Sequence, residues 1–207
     1  EDGSQMIFPS VESAELKIKE NTVRSAFMKE GLSEIEVLPT VPSPKLYEYR
    51  NKAQYPISKD KSGEYVIGFY APKTHTVCEA SDCPISPKIF SEILETLRSF
   101  FKKYDISVYD EESCSGLLRH VYLRRGEISG EILVTLVING EDLPHKDELV
   151  KNLTASFKDI CGILLNVNTD STNVILGEKF ITLYGNTRNA AVVHCKLCNI
   201  PVKTCGP

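Results

Sequence analysis

The chain has 207 residues, of which 42% are hydrophobic and 25% charged, so it can build a core and is not a disordered polymer. Its formal net charge of −4 excludes a uniformly basic protein but leaves room for local basic patches. No apolar run approaches the roughly 20 residues of a membrane-spanning helix. The start lacks both the basic and the apolar region of a signal peptide. With seven cysteines, an odd number, we expect a cytoplasmic protein without a disulfide framework or a membrane partner. Because residue 1 is not Met, we also expect the sequence to begin inside a longer protein.

Hydrophobic spacing predicts the secondary structure of the first third of the chain. A helix over about 12–30 carries an apolar face and ends at Gly31. A proline-punctuated connector follows, since each proline disfavours helix at the residue before it. Strand-like segments at about 47–57 and 64–70 flank the polar loop SKDKSG, which is typical of a hairpin.

The rest of the chain alternates helices with paired strands. Ser86 and Pro87 predict a helix start, with the Ser86 hydroxyl as the cap and an apolar stripe that runs to Phe101. Two strands around Gly126–Gly130 predict a second hairpin, and a further helix is expected at about 145–157. Helices that alternate with hairpins rather than with single strands predict an α+β fold: one domain, with a mostly antiparallel sheet flanked by helices.

A basic, amide-rich segment stands out in this acidic chain. Between Lys45 and His75 there are six cations and three anions. Strand alternation predicts that Arg50, Lys52 and Gln54 share one face. Two cations and an amide on one face can track phosphates, and an arginine can stack on an unpaired base. The alternative is an ordinary solvated sheet face.

A second cluster of arginines lies in the segment LLRHVYLRRG. Alternation places Arg119 and Arg125 on one face and Arg124 on the other, so at least one arginine should reach water or a ligand. All three join Arg50, Lys52 and Gln54 as candidate nucleic-acid contacts. His120 in the same segment is expected to be a plain surface histidine or a hydrogen-bonded one.

Four segments together resemble a known family. They are YRNKAQYPI (49–57), GFYAPKTHTV with DCPI (68–85), GLLRHVYLRRG (116–126) and NVNTDSTNVILGEKFITLYG (166–185), in this order. They resemble the middle domain of the S-adenosylmethionine-dependent RNA uracil-5-methyltransferases, which make 5-methyluridine in ribosomal and transfer RNA. The similarity is greatest to the 23S ribosomal RNA enzymes and covers about residues 14–185. We therefore expect a central domain over 1–185 and an atypical cysteine-containing tail over 186–207.

The resemblance implies a function in RNA positioning, with ribosomal RNA as the partner. Family members continue into a domain that binds S-adenosylmethionine and carries a nucleophilic cysteine in a Ser-Cys-Asn-Pro context. This sequence contains neither a glycine-rich cofactor loop nor that cysteine motif, and Cys114 matches no catalytic position of the family. We expect no S-adenosylmethionine bound to this chain and no catalysis by it alone.

The family also implies an iron–sulfur position at Cys83. Many members hold a [4Fe–4S] cluster with this cysteine, a Cys-Gly-Gly-Cys motif before the first helix and one more cysteine. Asp2–Gln5 (DGSQ) stands where that motif is expected. Since such clusters need four cysteine thiolates, we do not expect a cluster here, and Cys83 is interpreted as a structural residue.

The last residues bring together Cys195, Cys198 and Cys205, with His194 beside the first. One Cys-x-x-Cys is half of a zinc site, and such sites usually repeat the pattern further along the chain. A flexible tail, a zinc site within the tail and a metal site that the tail forms together with Cys83 all remain open. Two rivals to the main hypothesis follow: a stand-alone RNA-binding module, and a structural or interaction domain stapled by a metal at these cysteines.

Overall fold

The computed structural model describes residues 10–81, 83–171 and 174–185, and the backbone of two short strands at 192–194 and 201–203. The chain divides into two compact units, Glu1–Leu46 and Tyr47–Pro207. None of the helices in the described part combines the length and hydropathy needed to cross a bilayer. The predicted boundary at residues 185–186 falls at the edge of these residues and stays a prediction.

The first unit contains one helix, α1 (Val11–Lys29). Ser10 caps it, because its side chain accepts a hydrogen bond from the backbone N–H of Ser13 at 3.2 Å. Gly31, at φ +71°, follows the helix end, as the sequence predicts. On the helix surface, Glu20 is nearly buried between Lys17 and Arg24, which both donate to its carboxylate.

The second unit is built on a seven-stranded sheet in the order β3-β2-β1-β4-β5-β6-β7. Every neighbouring pair is antiparallel except β5 and β6, which are parallel. The short strands β8 (Val192–His194) and β9 (Pro201–Lys203) pair separately. The predicted α+β fold with a mostly antiparallel sheet is confirmed. The seven strands are β1 (Lys52–Lys59), β2 (Tyr65–Tyr70), β3 (Val77–Glu79), β4 (Leu118–Arg125), β5 (Ile132–Ile138), β6 (Ile160–Val167) and β7 (Lys179–Gly185).

The helices α2 (Lys88–Lys103) and α3 (Lys146–Ser156) supply the other half of the core. The apolar stripe of α2 is buried from Phe90 to Phe101, as its spacing predicts. Leu149 and Leu153 of α3 join the same cluster. The helix α3 lies between β5 and β6 in sequence, which explains how those two strands can be parallel.

The predicted cap of α2 is wrong, and the pairing of β2 with β3 requires a glycine. Ser86 does not cap α2: the N-cap residue is Pro87, and the Ser86 hydroxyl donates to the Cys83 sulfur at 3.4 Å instead. In β2, a Cβ on Gly68 would lie 1.7 Å from the Cys78 carbonyl oxygen, so only glycine permits the close pairing of β2 with β3.

Alternation along β4 separates two faces of the sheet. Val121 and Leu123 are fully buried in the cluster formed with the helices, so His120, Tyr122 and Arg124 point to the opposite side. We call that side the second face. The register places Lys52 opposite Arg124 and Gln54 opposite Tyr122, which brings β1 side chains onto the same face. The pairing of β4 with β5 shifts between Leu118 and His120, at Arg119.

His120 on the second face is half-buried. Its Nδ1 atom is buried and has no hydrogen-bond partner among the described residues. Burial, and then the neighbouring charge of Arg119, lower the pKa of His120 from 6.5 to about 4. The imidazole is therefore neutral at neutral pH.

This shift predicts a specific pH dependence of stability. Between pH 6.5 and about 4 the unfolded chain binds a proton at His120 that the folded chain does not. The free energy of unfolding should therefore fall as the pH is lowered through this window. At about 1.4 kcal/mol per pKa unit the expected loss is about 3 kcal/mol. Urea unfolding at several pH values, compared between the wild type and His120→Leu, measures it.

His120→Leu should remove the part of the wild-type pH dependence that belongs to this window. Equal pH dependence in wild type and His120→Leu would contradict the prediction.

Candidate nucleic-acid interface

Lys52 and Arg124 form the centre of the candidate interface. They are directly opposite each other on β1 and β4, a position at which Cβ atoms are roughly 5 Å apart. Their cationic groups lie 5.7 Å and 6.0 Å from the centroid of the Tyr122 ring. Two like charges in directly opposed positions repel each other, and the ring offsets part of that cost.

Tyr122 and Gln54 complete this group. Tyr122 is only 9% exposed, so its ring supports the two cations from below and presents little surface for stacking. Gln54 is half-buried directly across from it and offers an amide next to the charges. Lys52, Gln54, Tyr122 and Arg124 are called the basic cluster below. Its arrangement fits a phosphate held by charge and positioned by an amide.

Arg50 does not share this face, and that part of the sequence prediction is wrong. The strand begins at Lys52, so alternation does not extend back to Arg50. The Arg50 backbone N–H donates to the Ile85 carbonyl at 2.9 Å, and its guanidinium lies 5.7 Å from the Phe69 ring centroid. Phe69 packs on Tyr55 in the core, with ring centroids 5.0 Å apart.

Arg119 holds a loop together. It is 8% exposed, and its guanidinium donates to the carbonyls of Asn168 and Asp170 at 2.8 Å each. The guanidinium carbon also lies 4.4 Å from the centroid of the Tyr109 ring. The charge is thus used to fix the segment after β6. This placement does not favour contact with a phosphate.

Arg125 points away from the basic cluster. It pairs with Ile132, on the alternation step opposite to that of Arg124. Its Nε atom is buried without a hydrogen-bond partner among the described residues, and its backbone N–H donates to the Asn51 carbonyl at 2.8 Å. Of the six predicted RNA-binding residues, the structure brings three together: Lys52, Gln54 and Arg124. Tyr122 was not predicted as part of the site; alternation places it on the same face as Arg124, and the pairing of β1 with β4 brings it near Lys52.

Cys83 lies near the start of α2, beside Ser86. Burial raises the pKa of its thiol, but hydrogen bonds from the Ser86 hydroxyl and from the backbone N–H groups of Ile85 and Ser86 outweigh it. Arg50 adds its charge, and the net result is a pKa below the ordinary value for cysteine.

The donor set around Cys83 does not fit a metal cluster. Within the described ranges, no group of three or more His, Cys, Asp or Glu side chains is placed to hold a metal ion. One thiolate with hydroxyl and amide neighbours is far from the four thiolates that a [4Fe–4S] cluster needs. Asp2 and Gln5 lie outside the described residues. The side chains of the three tail cysteines, Cys195, Cys198 and Cys205, lie outside them as well, so a zinc site there stays a prediction.

Comparison with known proteins gives a consistent set of relatives, although no protein-family model matches the chain. An uncharacterized RNA methyltransferase of Clostridium tetani is 36% identical over 174 residues, which is 84% of this chain and 38% of the relative. Uncharacterized RNA methyltransferases of Bacillus cereus and Staphylococcus aureus are 35% and 32% identical over 173 residues.

A solved structure agrees with these relatives. The tRNA (uracil-54, C5)-methyltransferase of Pyrococcus abyssi, crystallised with S-adenosyl-L-homocysteine, superposes with a TM-score of 0.64 at 27% identity. The match covers 84% of this chain and 38% of that protein. The chain thus spans little more than a third of the length of the proteins it matches. The predicted resemblance is confirmed at this level: the homologues of this chain are RNA methyltransferases.

Proposed function

We propose that this chain is the RNA-positioning central domain of a 23S ribosomal RNA (uracil-5-)-methyltransferase. The observation that carries the proposal is the basic cluster, in which Lys52 and Arg124 are directly opposite each other and both lie near the Tyr122 ring. The homology to RNA methyltransferases supports RNA as the ligand. The four motifs named above support the ribosomal enzymes over the transfer RNA enzymes.

The physical role of the domain would be to hold a folded RNA by its backbone. Each phosphate that a lysine or arginine neutralises releases counterions, so affinity should fall steeply as salt rises. Phosphate contacts fix the register of the RNA and carry no sequence information by themselves. The choice of uridine and the transfer of the methyl group from S-adenosylmethionine would then belong to the remainder of the methyltransferase.

Substitution in the basic cluster tests RNA binding. Lys52→Ala and Arg124→Ala should each weaken binding to a 23S ribosomal RNA hairpin. Each should also lower the slope of log affinity against log salt by about 0.7 to 1, the contribution of one phosphate contact. Fluorescence anisotropy with the labelled hairpin across a salt series measures both quantities. Negligible affinity at low salt would contradict the proposal.

Two variants serve as controls in the same series. Lys61→Ala removes an exposed lysine from the β1–β2 loop, and its salt slope should equal that of the wild type. Arg50→Ala removes a cation that lies away from the basic cluster, so its slope should also be unchanged. If Arg50→Ala lowered the salt slope as much as Lys52→Ala does, the result would instead support the wider interface predicted from the sequence, which includes Arg50.

A second test concerns catalysis and substrate class. The purified chain, incubated with labelled S-adenosylmethionine and either 23S ribosomal RNA or transfer RNA, should produce no methylated uridine. The reason is that its sequence contains neither the glycine-rich loop nor the cysteine motif expected of the catalytic domain. Appreciable turnover would contradict a role limited to positioning. Tighter binding of transfer RNA than of ribosomal RNA would contradict the ribosomal assignment.

A further inference from the structure

A cavity of about 470 Å³ opens at the other end of the strands that carry the basic cluster. His120 lines it, and His120 lies four residues before Arg124 on the same face of β4. At about 3.3 Å per residue, the two side chains are about 13 Å apart along the strand. One strand of RNA can therefore contact both places. The other lining residues that matter are Tyr70, His75, Tyr109, Glu111 and Arg119.

Aromatic rings form much of the wall of the cavity. Tyr70 is 44% exposed, and its ring meets the His75 ring edge-on, with centroids 6.0 Å apart. Tyr109 lies on the same cavity and is backed by the Arg119 guanidinium at 4.4 Å. Arg119 is itself held by two carbonyls, so this ring has a fixed support. Rings that are partly exposed and rigidly held provide stacking surfaces for a planar ligand.

The charged groups of the cavity are unfavourable for a phosphate. Asp110, Glu111 and Glu112 all line it. The Glu111 carboxylate lies 3.5 Å from His75 Nδ1, and Glu111 also raises the pKa of Tyr70, second to burial. A phosphate would be repelled here. A carboxylate accepts hydrogen bonds, so it favours a planar ligand with an amino group.

His120 adds a neutral ring to the same wall. Its Nδ1 atom is buried without a partner among the described residues, so that atom lies out of reach of a ligand in the cavity. Because this ring is neutral, it adds no second positive charge beside Arg119.

We propose that this cavity is a subsite for an unpaired RNA base that carries an exocyclic amino group, such as adenine or cytosine. The base stacks on the aromatic wall and donates its amino hydrogens to the carboxylates, while Lys52 and Arg124 hold the backbone nearby. This inference rests on the proposed RNA-binding function and adds base selectivity to it. Uracil is disfavoured, because it has no exocyclic amino group to donate.

The test compares two labelled pentanucleotides, UUAUU and UUUUU, by fluorescence anisotropy at low salt. The wild-type chain should bind UUAUU about five to ten times more tightly, the effect of one well-placed base contact. Tyr70→Leu and Glu111→Leu should each reduce this ratio to below about twofold, because they remove stacking and an amino acceptor respectively. Glu111 is exposed, so Glu111→Leu should leave the fold intact and decides the question if Tyr70→Leu fails to fold.

Controls separate the subsite from the basic cluster. Tyr184 is 41% exposed and lies on β7, so Tyr184→Leu should keep the wild-type ratio. Lys52→Ala should weaken both pentanucleotides alike and also keep the ratio. Equal affinity of the wild type for both oligonucleotides, with Lys52 still required, would overturn the subsite and leave the proposed function standing. Absence of binding to either oligonucleotide would overturn both.

Discussion

The alternation of side chains along β4 is the constraint on which the rest of the second unit depends. Val121 and Leu123 are completely buried among the helices, so the strand cannot shift by one residue without exposing them. The same constraint fixes the direction of Tyr122 and Arg124 on the other face. The core thus supplies the stability that holds the two cations opposite each other. A surface loop with the same residues would let them move apart.

The loop after β6 shows how the polar residues of the chain serve the same end. Asn166 is fully buried and exchanges two hydrogen bonds of 2.8 Å with the backbone of Gly177. Asn168 donates to the carbonyls of Val174 and Ile175, and Arg119 donates to the loop from β4. Buried polar groups that satisfy one another in this way define a single geometry for the segment. They also fix Arg119, which in turn supports the Tyr109 ring in the cavity.

Local patterns were sufficient to predict the three helices, two hairpins and part of one face of the candidate interface. Period-two spacing places Lys52 with Gln54, and the helix stripe from Phe90 to Phe101 was predicted for the same reason. Arg50 was misplaced because strand pairing with β4 begins only at Lys52, and sequence alone does not set that start.

The burial of Arg119 and His120 was not predicted, for a different reason. Their surroundings come from residues distant in sequence. Arg119 contacts the loop near Asn168, and His120 lines a cavity together with residues such as Tyr70 and Glu112. Burial of that kind depends on how the whole sheet is assembled, so the alternation of residues within β4 does not predict it.

The opposite signs of charge at the two ends of the second face bear on how an acidic protein selects its ligand. Lys52 and Arg124 attract any polyanion, whereas Asp110, Glu111 and Glu112 repel one about 13 Å further along β4. A duplex presents a continuous row of phosphates, so it would place charge against both ends at once. A single strand can turn a phosphate toward the cations and a base toward the carboxylates. Under the proposed function, this charge pattern would discriminate against duplex and favour unpaired RNA, even though the net charge of the chain is −4.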